Sequence, residues 1–191
     1  MSEWLYGGEG SETQRRHLVG EVVDRLSVEM AMLSIIGIDH QFVLAHLGMP
    51  ERLRDDPVLP RRDALCAIVA ETGRPLAIDC GPEHPAYRGH AAIRAFGIVA
   101  YLGVPLWTGD RVVGVLAGMG RRPRRWGADA VGAIVALATT HGGTPPAMAT
   151  PRSCGLAART VLVGASRRRR ARGPAETSLG TDAVALSPAR D

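Results

Sequence analysis

The chain has 191 residues, a length typical of one domain with an appendage, and its hydrophobic fraction of 46% is ample for a core. No apolar run approaches the roughly 18 to 20 residues that a membrane-spanning helix needs. The first ten residues lack the basic region and the apolar region of a secretory signal. We therefore expect a cytoplasmic protein with no membrane segment.

The net charge of +4 is distributed unevenly along the chain. Residues 1–142 hold 15 arginines against 16 acidic residues, whereas residues 143–191 hold 8 arginines against 3. The basic character therefore belongs to the C-terminal segment, where Arg167–Arg170 could contact phosphates without sequence preference. No aromatic residue follows position 126 to stack on bases, so we favour a solvated tail over nucleic-acid binding. Lysine is absent, which together with abundant Ala, Gly and Pro suggests a GC-rich bacterial genome.

The N-terminal half predicts a helix, a hairpin and a second helix. A capping box at Ser11–Gln14 precedes apolar residues at helical spacing. The predicted elements are a helix over 12–27, strands over 29–37 and 41–47 joined by a polar turn, a loop over 48–60, and a helix over 61–72 that ends at Gly73.

The C-terminal half centres on two apolar runs that flank Gly109-Asp110, which predicts a strand, a tight turn and a strand. Gly103, Gly114 and Pro105 would weaken ordinary central strands, so we expect close approach to the backbone there. The other predicted elements are a strand over 75–79, an irregular connection over 80–89, a short helix over 91–96 and a final helix over 128–140.

Beyond this point the hydrophobic pattern fades, and we predict a disordered tail over 143–191. Two interpretations of this tail remain open. It is either a basic linker or a sequence read in a shifted frame.

Several motifs in order resemble the GAF domain family. They are the Cys66–Asp79 segment with its Thr-Gly-Arg-Pro-Leu step, His84-Pro85, Arg94 with Gly97-Ile98, and the exit Arg122–Trp126. The resemblance implies an α+β, PAS-related antiparallel sheet of about five to six strands flanked by helices. It places a flexible terminus at 1–10 and the domain at 11–142.

The resemblance also implies a sensory function. A small-molecule ligand or a partner would bind between one sheet face and the layer formed by roughly residues 80–96, with Cys66, Asp79, Arg94, Tyr101 and Met119 as the ligand-binding residues. The terminal helices would pass the signal onward and form a homodimer. The sequence does not identify the ligand, the cofactor or the downstream output, and we predict no catalytic residue.

The alternative is a small redox enzyme, because free methionine sulfoxide reductases are GAF proteins with catalytic cysteines. Cys66 and Cys80 would then be the reactive thiols. Those enzymes carry an acidic cluster after the last strand, whereas residues 117–121 contain no carboxylate. With three cysteines and no close pair, we expect free thiols and inert packing for Cys66.

Other ligand chemistries have weaker signals. Cys80, His84 and His90 lack a fourth ligand and the tighter spacing of a zinc site, so we predict no metal. The bilin pattern around His84 has Glu83 where the chromophore thiol should lie. The Asn-Lys-x-x-x-Phe signature of cyclic-nucleotide binding is absent.

Overall fold

The computed structural model describes residue 7 and residues 11–144. In chain order their helices are α1 Ser11–Leu26, α2 Arg52–Asp55, α3 Leu65–Thr72, α4 Ala91–Phe96 and α5 Ala128–Gly142, with a 3-10 turn at Arg61–Asp63. Their strands are β1 Met30–Ile36, β2 His40–Leu47, β3 Val58–Pro60, β4 Leu76–Ile78, β5 Ala100–Thr108 and β6 Arg111–Gly120.

The strands form one six-stranded sheet in the order β3-β2-β1-β6-β5-β4. Every neighbouring pair is antiparallel, including β1 with β6, which brings the two hairpins together at the centre of the sheet. The α+β class and the strand number predicted from the sequence are therefore confirmed. The predicted tail and the Arg167–Arg170 run lie outside the described residues.

The two faces of the sheet are covered by different helices. In β1, Ala31 and Leu33 belong to the core formed with α1 and α5, whereas Met30 and Met32 belong to the core formed with α3 and α4. Successive side chains of a strand point to opposite faces, so a nearly continuous apolar strand supplies both cores. The central strands β1 and β6 thus separate the terminal helices from the α3–α4 layer.

Two glycines of β6 allow close approach of neighbouring elements. A Cβ on Gly114 would lie 2.6 Å from the backbone carbonyl oxygen of Ser34, and a Cβ on Gly118 would lie 2.7 Å from a methyl carbon of Leu26. The first contact confirms the expected approach to the backbone at Gly114. The second lets α1 lie directly against β6.

The segment over 48–60 is not the plain loop that its prolines and charges predicted. It contains α2 and the edge strand β3, which pairs antiparallel with the start of β2 through His40↔Pro60 and Phe42↔Val58. Proline is tolerated there because β3 is an edge strand and needs no N–H on its open side. A three-residue strand paired with a non-adjacent segment leaves no local pattern in the sequence.

The predicted helix over 61–72 is also interrupted. Ala64 has an extended backbone, φ −109° and ψ 120°, which separates the 3-10 turn from α3. Helix α3 does end at Gly73, whose φ of +60° is the left-handed conformation that glycine adopts easily. The predicted helices at both termini are confirmed, with α5 continuing to Gly142.

Among residues 7 and 11–144, no helix has both the length and the apolar character needed to cross a membrane.

Candidate functional site

A cleft of about 300 Å³ opens between the α2–β3 segment with its 3-10 turn and helix α4. It lies on the side of the sheet opposite α1 and α5, because its walls belong to the α3–α4 core. The volume is at the lower end of the range typical of small-molecule sites. The lining residues are Leu53, Asp56, Val58, Leu59, Pro60, Asp63, Ala91, Ala92, Ala95 and Phe96.

A smaller cavity of about 20 Å³ lies deeper, against the sheet. It shares four lining residues with the cleft, Leu59, Asp63, Ala92 and Phe96, so the cleft and the inner cavity are adjacent compartments of one site. The inner cavity has room for about one water molecule. Its other lining residues are Met32, Gln41, Met49, Ala64, Leu65, Cys66, Ile98, Tyr101 and Met119.

Buried polar side chains gather around the inner cavity. The Tyr101 hydroxyl donates to Cys66 Sγ at 3.3 Å, and Gln41 Nε2 donates to Met32 Sδ at 3.5 Å. Ser34 shares this face of β1 with Met32, and its hydroxyl lies toward the Cys66 thiol without completing a hydrogen bond. Buried polar groups normally have a partner, so the Ser34 hydroxyl is an exception at this site.

Burial determines the protonation of this cluster. It raises the pKa of Cys66, against smaller lowering effects from hydrogen bonds of Tyr101 and other neighbours. Burial and the Cys66 thiol together raise the pKa of Tyr101 well above its usual value. Both groups are therefore neutral near pH 7, and the thiol is held in its unreactive form.

Gly103 explains how Tyr101 reaches Cys66. A Cβ at Gly103 would collide with the Tyr101 hydroxyl and ring, because the phenol lies along β5 over this residue. The absent side chain leaves the space that the ring occupies. The approach to the backbone expected at Gly103 is therefore present, and it comes from the same strand.

The structure brings together three of the five residues predicted to bind a ligand. Cys66, Tyr101 and Met119 line the inner cavity, from α3, β5 and β6 respectively. Arg94 is exposed on α4 and lines neither compartment, and Asp79 lies outside both as well. The ligand-binding role of the first three remains a prediction.

Asp79 instead forms hydrogen bonds that hold the segment between β6 and α5 against the edge of the sheet. Its Oδ1 accepts from the backbone N–H of Trp126 at 3.1 Å, and its carbonyl accepts from the N–H of Arg124 at 3.0 Å. The Trp126 indole N–H donates to the Ile78 carbonyl at 3.0 Å, and the Arg124 guanidinium lies 4.5 Å from the indole centroid. These contacts give Asp79 a structural role.

Sequence reasoning missed Gln41, Ser34 and Asp63. Gln41 and Ser34 are polar residues at inward positions of otherwise apolar strands, and that alternation is a signal that could have identified them. Asp63 carried no such signal, because its place between the cleft and the inner cavity depends on the break at Ala64.

His84 and His90, for which the sequence predicted no metal, each use a ring nitrogen to organise the backbone. His84 Nδ1 accepts from the Ala86 N–H at 3.2 Å, and His90 Nδ1 accepts from the Ala92 N–H at 3.2 Å, where it caps α4. Over the described part of the chain, no three His, Cys, Asp or Glu side chains cluster as metal ligands would. Cys66 and Cys80 are free thiols, and Cys154 lies outside the described residues.

A GAF domain family model matches residues 12–142, which is more than half of the chain, and the chain belongs to the GAF family. The resemblance predicted from the ordered motifs is confirmed. A search of proteins with curated functions found no match to this sequence.

Solved structures support the same fold. A GAF domain from an Acinetobacter phosphoenolpyruvate-protein phosphotransferase has a TM-score of 0.58 at 18% identity, over 69% of this chain and 79% of that one. The blue-light absorbing form of the Thermosynechococcus elongatus PixJ GAF domain has a TM-score of 0.59 at 19% identity, over 74% and 86%. The free methionine-R-sulfoxide reductase from Neisseria meningitidis has a TM-score of 0.54 at 12% identity, over 73% and 75%. At these identities the likeness concerns the fold alone.

Proposed function

We propose that this protein is a non-enzymatic sensory or regulatory GAF domain that binds a small molecule in the cleft and inner cavity. The observation that carries the proposal is the site itself. A largely apolar cleft narrows to a buried cavity with a few polar groups, which is the usual construction of a small-molecule site. A solved structure of this fold, PixJ, is described as a cyanobacteriochrome receptor.

The arrangement of the sheet supports a relay from this site to the terminal helices. Met32 and Met119 line the inner cavity from β1 and β6. The neighbours of Met32 in β1, Ala31 and Leu33, belong to the core beneath α1 and α5, and Gly118 beside Met119 lies against Leu26 of α1. A ligand that displaces these two strands would change the packing of the terminal helices on the other face. The coupling passes through two central strands that are hydrogen-bonded to each other.

The test is native mass spectrometry of the full chain purified from its source, with a search for a co-purifying small molecule. Ala91→Trp would fill the mouth of the cleft, whereas Ala86→Trp adds the same side chain at an exposed position outside it. We expect a bound molecule in the wild type and in Ala86→Trp, and its loss in Ala91→Trp. Equal retention in both variants would contradict a site in the cleft.

The homodimer through the terminal helices stays a proposal, but on different residues. The apolar residues of α1 at helical spacing do not supply the dimer surface, because Leu18, Val19 and Val22 are buried against the sheet inside the protomer. Half-buried apolar residues remain on the two helices, Val23 on α1 and Val131 and Val135 on α5. Sedimentation showing a monomer at high micromolar concentration would contradict the dimer.

The reductase alternative has one favourable feature, because Cys66 lines the inner cavity. The burial of Cys66 disfavours the reductase, because it raises the pKa of the thiol and keeps the thiol protonated. Turnover of free methionine sulfoxide by the wild type, abolished by Cys66→Ser, would favour the enzyme over the sensor.

A further inference from the structure

We propose that the ligand of the cleft is a small organic cation, an ammonium group attached to an apolar body. This inference rests on the proposed function and names the chemical class of the ligand. The ammonium would lie in the inner cavity, at its junction with the cleft beside Asp63, with the apolar body along the cleft. The juxtaposition of a carboxylate, an apolar cleft and a buried pocket with a hydrogen-bond acceptor leads to this assignment.

The charged side chains of the cleft are acidic. Asp56 and Asp63 are the charged residues among its described lining side chains, and both are acidic. Asp63 forms a loose ion pair with the guanidinium of Arg62 at 3.9 Å, with the two side chains 85% and 41% exposed. Its charge also acts on His90, but burial lowers the pKa of that imidazole and keeps it neutral near pH 7.5. The solvated pair with Arg62 contributes little, so the Asp63 carboxylate remains available to a ligand cation.

The inner cavity offers a hydrogen-bond acceptor to a ligand. The Tyr101 phenol has used its only hydrogen on Cys66, so the phenol oxygen retains acceptor lone pairs. The Ser34 hydroxyl, fully buried on the same side of β1 as the lining residue Met32, has no hydrogen-bond partner within the described chain. Ser34 lines neither compartment, so the Tyr101 oxygen is the acceptor that the inner cavity offers to a ligand.

The size of the inner cavity also suits an ammonium group. An ammonium group is about as large as a water molecule, and the inner cavity of about 20 Å³ has room for one such group. A cation in an apolar surrounding needs a paired carboxylate to offset its desolvation. Asp63 meets this need because it lines both compartments. An anionic ligand would face the same carboxylate and be repelled.

The experiment compares three probes of one shape with the full chain. They are 2-phenylethylamine, which is a cation at pH 7.5, the neutral 2-phenylethanol and the anionic 3-phenylpropionate, each titrated by calorimetry. We expect the amine to bind at least about tenfold more tightly than the other two, because only the amine can form a charge-assisted hydrogen bond with Asp63. Asp63→Asn should reduce the amine to the affinity of the alcohol.

The matched control is Asp110→Asn, since Asp110 is an exposed aspartate in the β5–β6 turn and lies outside both compartments. It should leave the affinity for the amine unchanged. Circular dichroism of the variants confirms folding, and Ala91→Trp should abolish binding of the amine if the cleft is its site.

Equal affinities for the amine and the alcohol would overturn the cation assignment. So would amine binding that survives Asp63→Asn or Ala91→Trp, or no amine binding at all. These results differ from failure of the proposed function. If the amine and the alcohol bind equally but a co-purifying molecule is lost in Ala91→Trp and kept in Ala86→Trp, the cleft remains a ligand site. Only the assignment of a cation as its occupant then fails.

Discussion

Replacement of Asp79 separates its observed structural role from the predicted ligand-binding role. Asp79→Ala removes the carboxylate that accepts from the Trp126 N–H at 3.1 Å. A hydrogen bond to a charged group contributes about 1.5–3 kcal/mol, and the exposure of Asp79 places the loss at the lower limit, about 1.5 kcal/mol. For a domain of this size, that corresponds to a decrease in Tm of roughly 3–8 °C.

The assay is thermal unfolding followed by circular dichroism, combined with the calorimetric titration of 2-phenylethylamine. Asp110→Ala is the control, because it removes an exposed aspartate outside the site. We expect Asp79→Ala to lower Tm and to leave the affinity of the folded protein unchanged. The opposite pattern, an unchanged Tm with lost binding, would refute the structural assignment and return Asp79 to the ligand site.

Three further predictions follow from the packing and the protonation of described residues. Gly114→Ala should destabilise the domain by more than about 2 kcal/mol in urea unfolding, because its Cβ would lie 2.6 Å from the Ser34 carbonyl oxygen; a change below 0.5 kcal/mol would contradict this close approach. Because burial lowers the pKa of His90, stability should be complete above the unfolded value of 6.5 and decrease as the pH falls through the folded pKa. His90→Asn should keep the helix cap and lessen this pH dependence. His90→Ala should lower the free energy of unfolding by about 1 kcal/mol at pH 7.5, because the cap is lost. Identical pH profiles of stability for wild type and His90→Asn would contradict the prediction. Brief alkylation of the native protein, read by peptide mass spectrometry, should modify half-buried Cys80 before buried Cys66, and the reverse order would contradict the protonated, enclosed thiol.

The hairpins and terminal helices could be predicted because their signals are local. Gly109 turns the β5–β6 hairpin with a φ of +61°, and Gly73 ends α3 in the same left-handed conformation. Strand β3 could not be predicted, because its three residues are defined by pairing with β2 rather than by their own pattern. Local signals determine where elements begin and end, whereas pairing across the sheet decides which short segments become strands.

Only part of the candidate site could be predicted from the sequence, again because only some of its residues have local signals. Cys66 and Tyr101 are inward residues of regular elements, so their periodicity places them against the core. Asp79 follows a strand in a charged segment, and nothing local distinguishes a ligand contact from its contact with Trp126, 47 positions away. The place of Asp63 depends on the extended backbone at Ala64. Loop side chains are positioned by tertiary contacts that the sequence pattern does not contain.

Gly118 has a mechanical consequence for any signal that crosses the sheet. Its neighbour Met119 lines the inner cavity, while the Gly118 backbone itself meets Leu26 near the end of α1. A flexible side chain between two elements absorbs a small displacement by changing its rotamer. Gly118 contributes no side chain from β6, so a displacement of a few tenths of an ångström in β6 would act on the Leu26 and Val22 side chains of α1 alone. A longer residue there would collide with Leu26 and Val22 and push α1 away from the sheet, even if it left the cavity intact.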